Sequence, residues 1–115
     1  MILTSLKKRE DYVQIAKTGQ SVAAKGLVLQ VRKSCVNPED NKVQIGFTVT
    51  KKLGNAVVRN KIKRRLRAIA SSIIKDYANR SFDYVLIGRK AALERDFNDL
   101  KKDLKYALHA LNAHK

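Results

Sequence analysis

The chain has one cysteine, one proline, no tryptophan and only ten acidic residues among 115. A single thiol, Cys35, cannot close an internal disulfide, and no Cys/His set has zinc-site spacing. With Pro38 alone and five glycines, the sequence offers no linker, repeat or low-complexity tract, so one domain over residues 1–115 is expected. No stretch approaches the roughly 18 apolar residues of a membrane span. The opening MILTSLKKRE holds no apolar core of signal-peptide length. These absences point to a soluble protein of the reducing cytoplasm.

Catalytic and metal-binding patterns are also missing. The acids form no D-x-D or paired-carboxylate motif, and Gly54 stands alone where a phosphate-binding loop would need several glycines. Ser72 and Lys75 match S-x-x-K without the companion motifs that give it meaning. Glu39 and Asp40 sit in a turn cluster and are expected to be solvated. His109 and His114 lie five apart, a spacing that does not place both on one helix face as metal ligands, so they are expected to be surface histidines. No metal or cofactor bound by the protein itself is expected.

What the chain has is positive charge. Lys and Arg number 25 against ten acids, giving +15, while 44% apolar residues are enough to build a core. A folded domain with such an excess calls for a polyanionic partner, nucleic acid first and an anionic membrane second.

Periodicity gives the elements. Residues 9–18 suit a short helix with Glu10 and Asp11 in its first turn and Gly19 as C-cap. Residues 22–34 suit a strand long enough to be split in two. Val43, Ile45, Phe47 and Val49 alternate with Gln44, Gly46, Thr48 and Thr50 in a half-buried strand. Val58, Ile62, Leu66, Ile69, Ile73 and Tyr77 mark an amphipathic helix over about 56–78. Residues 82–88 are apolar on both faces, as in an interior strand, and the stripe from Leu93 to Leu111 predicts a last helix over about 92–112. The whole is an α+β sandwich with helices on a small sheet.

The charge is concentrated. Residues 51–67 hold Lys51, Lys52, Arg59, Lys61, Lys63, Arg64, Arg65 and Arg67 and no acid. On a helix, Asn60, Lys63, Arg64 and Arg67 fall roughly opposite the apolar stripe, with Arg59, Lys61 and Arg65 at its borders. Like charges three and four apart repel and weaken a free helix, which a polyanion would relieve. Arginine forks suit phosphates, and the Gly54-Asn55 turn would leave backbone N–H groups open at the positive end of the helix.

The stretch 46–67, GFTVTKKLGNAVVRNKIKRRLR, resembles the signature of the bacterial ribonuclease P protein subunit, with Arg59-Asn60-x-x-Lys63-Arg64 as its basic core. Asp11-Tyr12 with Gly19 resembles that family's first helix, and 83–90 its last strand, so the likeness spans nearly the whole chain. The resemblance implies a fold like the second domain of ribosomal protein S5, an α-β-β-β-α-β-α two-layer sandwich with a left-handed β-α-β crossover. It implies a subunit that binds the catalytic RNA of ribonuclease P and precursor tRNA, with no further protein partner, while the RNA and its Mg²⁺ ions remove the 5′ leader. Carried over by position, the basic motif is Lys51, Lys52, Arg59, Asn60, Lys61, Lys63, Arg64, Arg65 and Arg67. A leader cleft would lie between the first helix and the sheet. Tyr12 matches an aromatic of that cleft, and it stands equally open as a tyrosine packed at the helix–sheet seam. Ala16 and Gln30 stand where aromatics occur in other members, so the cleft would rely on polar contacts from Gln30, Arg32, Gln44 and Thr48. Three other readings compete: a ribosomal or general RNA-binding module, a basic membrane-surface helix, for which 57–77 lacks tryptophan and phenylalanine, and a stand-alone nuclease.

Overall fold

The computed structural model describes residues 2–34 and 37–114, so the reading of Cys35 lies outside the described residues. Among them the chain forms β1 (Ile2–Ser5), α1 (Arg9–Thr18), β2 (Gln20–Ala23), β3 (Leu27–Lys33), β4 (Lys42–Thr48), α2 (Ala56–Tyr77), β5 (Phe82–Gly88) and α3 (Phe97–Ala110). The strands make one sheet in the order β1-β4-β5-β3-β2. β5 is the interior strand, parallel to β4 and antiparallel to β3, which explains why both of its faces are apolar. β4, α2 and β5 form a parallel β-α-β unit between neighbouring strands.

The alternation along each strand sorts the two faces. Leu27, Leu29, Val31, Val43, Ile45, Tyr84 and Leu86 share one core with Ile62, Leu66, Ile69 and Ile73 of α2 and Leu100, Leu104 and Leu108 of α3. This is the two-layer body. On the opposite face a smaller cluster of Leu6, Ile15 and Val85, with Tyr12 and Ile87 against it, holds α1 as a partial third layer.

Three features differ from the sequence expectation. β1 precedes α1 and pairs in parallel with β4, from Ile2 opposite Lys42 to Ser5 opposite Ile45. Four residues are too few for a visible period, and their pairing is set by a strand forty residues away. The last helix starts at Phe97 rather than near 92. Residues Lys90–Leu93 form a 3-10 turn, and the Asp96 side chain caps the helix by accepting from the Asn98 N–H at 2.8 Å. The same region ties α3 to the β2–β3 turn. Asp103 takes both Arg95 Nε at 2.6 Å and Arg95 Nη2 at 3.0 Å, and it also accepts from the Gly26 N–H at 3.2 Å.

The third difference is at the C-terminus. α3 ends at Ala110, Asn112 turns the chain with φ of 55°, and the Ala113 N–H returns to the Leu108 carbonyl at 2.9 Å. This reversal brings the His109 and His114 rings to 4.1 Å between centroids, with His109 exposed and His114 half-buried. The buried Tyr84 hydroxyl pins the same segment by donating to the Ala113 carbonyl and accepting from the Asn79 N–H. Burial pushes its pKa up to about 12.

Candidate nucleic-acid interface

α2 is built to show cations. Gly54 has φ of +145°, a conformation that L side chains rarely adopt, and it turns the chain out of the short Lys51–Leu53 turn. Asn55 then caps the helix, its side chain accepting from the Val58 N–H at 3.0 Å. That occupies the third amide of the helix and leaves those of Ala56 and Val57, which have no intrahelical acceptor, as donors at its positive end. Ile62, Leu66, Ile69, Ala70, Ile73 and Ile74 are buried, which orients the rest of the helix outward.

Lys51, Lys52, Asn60, Lys61, Arg64 and Arg67 are exposed, while Arg59, Lys63 and Arg65 are half-buried at the flanks of the stripe. The ion pairs found among the described residues join Arg32 to Asp11 and Asp83, and Arg95 to Asp103. None involves α2. Two of its arginines have contacts of another kind: Arg65 donates to the Arg95 carbonyl, and the Arg67 guanidinium lies 5.7 Å from the Phe47 ring centre. Arg65 is therefore partly a strut between α2 and the segment before α3. The Nε atoms of Arg59 and Arg65 are buried without a partner.

The second group of expected site residues lies on the α1 side of the sheet. The β-ladder sets Gly46, Val85 and Gln30 in one row and Thr48, Ile87 and Val28 in the next. Gln44 lies two residues before Gly46 on the same face of β4. Gln30, Gln44 and Thr48 are half-buried, and their side chains have no hydrogen-bond partner among the described residues. They form a polar strip beside α1.

Tyr12 and Arg32 are placed differently. The Tyr12 hydroxyl donates to the Leu6 carbonyl at 2.9 Å. Its ring lies on Gly46, where a Cβ would fall 2.5–2.7 Å from the hydroxyl end of the ring. The structure thus has Tyr12 packed at the seam and half-buried, with glycine opposite because nothing larger fits. Arg32 is bound on two sides, with Nε at 3.0 Å from Asp83 and Nη2 at 3.1 Å from Asp11. Burial alone would lower its pKa, but hydrogen bonds and charge from the two carboxylates outweigh that and raise it. Arg32, expected among the polar contacts of the leader cleft, is thus committed to two carboxylates. It is a clamp that joins α1 to β3 and β5. Asp83 and Asp11 were not expected to take part. The signal was present, because Asp83 is the sole acid in an otherwise apolar strand and is fully buried. Ala16, one turn beyond Tyr12, is exposed and adds no ring to this face.

The geometry is that of a cationic helix and a polar strip on a small sheet. Comparison with known proteins shows the family and the fold. The ribonuclease P family model matches residues 3–112. The chain is 41% identical over 112 residues to the ribonuclease P protein component of Paramagnetospirillum magneticum, covering 96% of this chain and 84% of that protein. It is 40% identical to that of Ruegeria pomeroyi, covering 98% and 90%. Among solved structures, the RNase P protein of Staphylococcus aureus superposes with a TM-score of 0.74 at 32% identity, covering 96% of this chain and 97% of that one. The RNase P protein of Thermotoga maritima gives 0.74 at 29% identity, covering 94% of each. On sequence and on fold, the chain belongs to the ribonuclease P protein family and is a protein subunit of that endoribonuclease.

Proposed function

We propose that α2 docks this subunit onto the catalytic RNA of ribonuclease P and that the strip beside α1 receives the single-stranded 5′ leader of precursor tRNA. The observation that carries this reading is the exposed row of Lys61, Arg64 and Arg67, with Lys51 and Lys52 before it, none of them paired with an acid among the described residues. Arginine and lysine spaced along one helix face meet successive phosphates, and the free amides at the start of α2 add a seat for another. Gln30, Gln44 and Thr48 supply donors and acceptors to ribose and base edges, while Tyr12 borders them with the exposed side of its ring.

In this reading the bond is broken by the RNA with its Mg²⁺ ions. The protein contributes affinity, orientation and charge neutralisation. It acts in the cytoplasm and needs no second protein. The test is reconstitution: the chain is added to ribonuclease P RNA at a Mg²⁺ concentration too low for the RNA alone, and cleavage of precursor tRNA is followed. Restored cleavage at the mature 5′ end is expected. Cleavage by the chain without RNA, or no restoration at any protein concentration, would overturn the assignment of roles.

A further inference from the structure

A cavity of about 730 Å³ opens past the end of α1, between the start of β2, the end of β3 and the turn after α3. Gln30, Gln44 and Thr48 do not line it; of the residues expected in the leader cleft only Arg32, held by Asp11 and Asp83, does. Its apolar wall is Phe82, a half-buried ring, with Leu111 beside it. Three exposed amide side chains stand around that wall: Gln14 from α1, Gln20 from β2 and Asn112 from the turn after α3. None of the three amides makes a hydrogen bond among the described residues. Lys33 stands at the rim without an ionic partner among the described residues, and no carboxylate lines the cavity.

This combination selects a ligand class. A half-exposed aromatic side chain with a leucine beside it accepts a ring by stacking. Uncommitted carboxamides both donate and accept, as the edges of a nucleobase require. A free lysine at the rim supplies charge for a phosphate. The volume falls within the range of small-ligand sites, roughly 300–1,000 Å³, and the absence of acids suits an anion. We propose that this cavity is a pocket for one unpaired RNA nucleotide, with its base against Phe82 and Leu111 and its phosphate at Lys33. The proposal rests on the RNA-binding reading above and extends it to a second site that has the Arg32 clamp in its wall. The nucleotide would come from the precursor leader or from an unpaired position of the catalytic RNA.

Two variants test it. Gln14→Ala/Gln20→Ala alters only exposed side chains, and Phe82→Leu keeps an apolar wall while removing the ring. Two affinities are measured with the full chain: that of the protein for ribonuclease P RNA, and that of the reconstituted holoenzyme for precursor tRNA with and without its leader. A loss of roughly tenfold is expected in one of them. A loss confined to leader-bearing substrate identifies a leader nucleotide, and a loss in the first affinity identifies one from the catalytic RNA. Both variants within twofold of wild type in every assay would overturn the pocket while leaving α2 docking intact. A wild-type chain that bound neither RNA would instead sink the docking reading itself.

Discussion

Replacing Gly46 by alanine is expected to lift Tyr12 off the sheet, and the size of the effect follows from the contacts. The added Cβ would fall 2.5 Å from the Tyr12 hydroxyl oxygen and 2.6 and 2.7 Å from two ring carbons, distances real Cβ atoms essentially never show. The ring can swing aside only by giving up the hydrogen bond that its hydroxyl donates to the Leu6 carbonyl at 2.9 Å. Overpacking of this kind costs about 1–3 kcal/mol, and losing the hydrogen bond adds about 1 kcal/mol. A total near 2 kcal/mol is expected, since the clashing atoms lie at the far end of a side chain that can yield. In a Tyr12→Ala background the obstacle is gone, and the same Gly46→Ala change should cost under about 0.5 kcal/mol, so the double-mutant cycle returns a coupling of roughly 1.5 kcal/mol. Urea denaturation of the four proteins measures it. An equal cost of Gly46→Ala in both backgrounds would show that Tyr12 does not rest on Gly46 and would remove the physical basis for the seam.

Three further outcomes follow from the same structure. Arg32→Met should destabilise by about 3–5 kcal/mol, because it leaves the fully buried Asp83 without its cation. Adding Asp83→Asn should recover part of that loss in chemical denaturation. Tyr84→Phe should cost about 1–3 kcal/mol by leaving the Asn79 N–H and the Ala113 carbonyl without their partner. The Tyr84 pKa also gives a pH dependence. The folded state holds this proton up to about 12 against an ordinary value of 10.0. The contribution is therefore complete below pH 10 and fades as pH rises from 10 through 12, by roughly 2–3 kcal/mol in total. Tyr84→Phe should abolish that component of the alkaline decline. A wild type and variant that lose stability in parallel above pH 10 would refute it.

Much of this fold is legible in the sequence because its central elements carry complete periods. β4 alternates cleanly, β5 is apolar on both faces but for Asp83 because it has strands on both sides and helices on both faces, and the stripe of α2 runs through its whole length. The illegible parts depend on partners distant in sequence. β1 has four residues and becomes a strand only because β4 presents an edge to it. α3 begins where Asp96 can cap it and where Asp103 can hold Arg95, and helical periodicity in 92–95 does not register either constraint. His109 and His114 meet because the chain reverses between them, a feature invisible to a spacing rule that assumes an unbroken helix.

The candidate site divides in the same way. The exposure of Lys61, Arg64 and Arg67 follows from a helix and a buried stripe, but Lys63, expected opposite that stripe, is half-buried because Ala70 and Ile74 widen the buried face towards it. The polar residues of the α1 face do not sort so simply. Gln30, Gln44 and Arg32 look alike on their strands, but Arg32 alone lies within reach of two carboxylates from other elements. A buried acid in an apolar strand is the feature that marks such a clamp, because an unpaired carboxylate there would be too costly to keep.

The central claim is that the exposed cations of α2 contact RNA phosphates. The most direct measurement is the affinity of the full chain for ribonuclease P RNA across a salt series, for wild type and for Lys61→Ala, Arg64→Ala and Arg67→Ala. The account predicts a steep linear fall of log affinity with log salt, and a slope reduced by about one unit for each substituted cation that meets a phosphate. An affinity flat in salt, or slopes identical in wild type and all three variants, would contradict it.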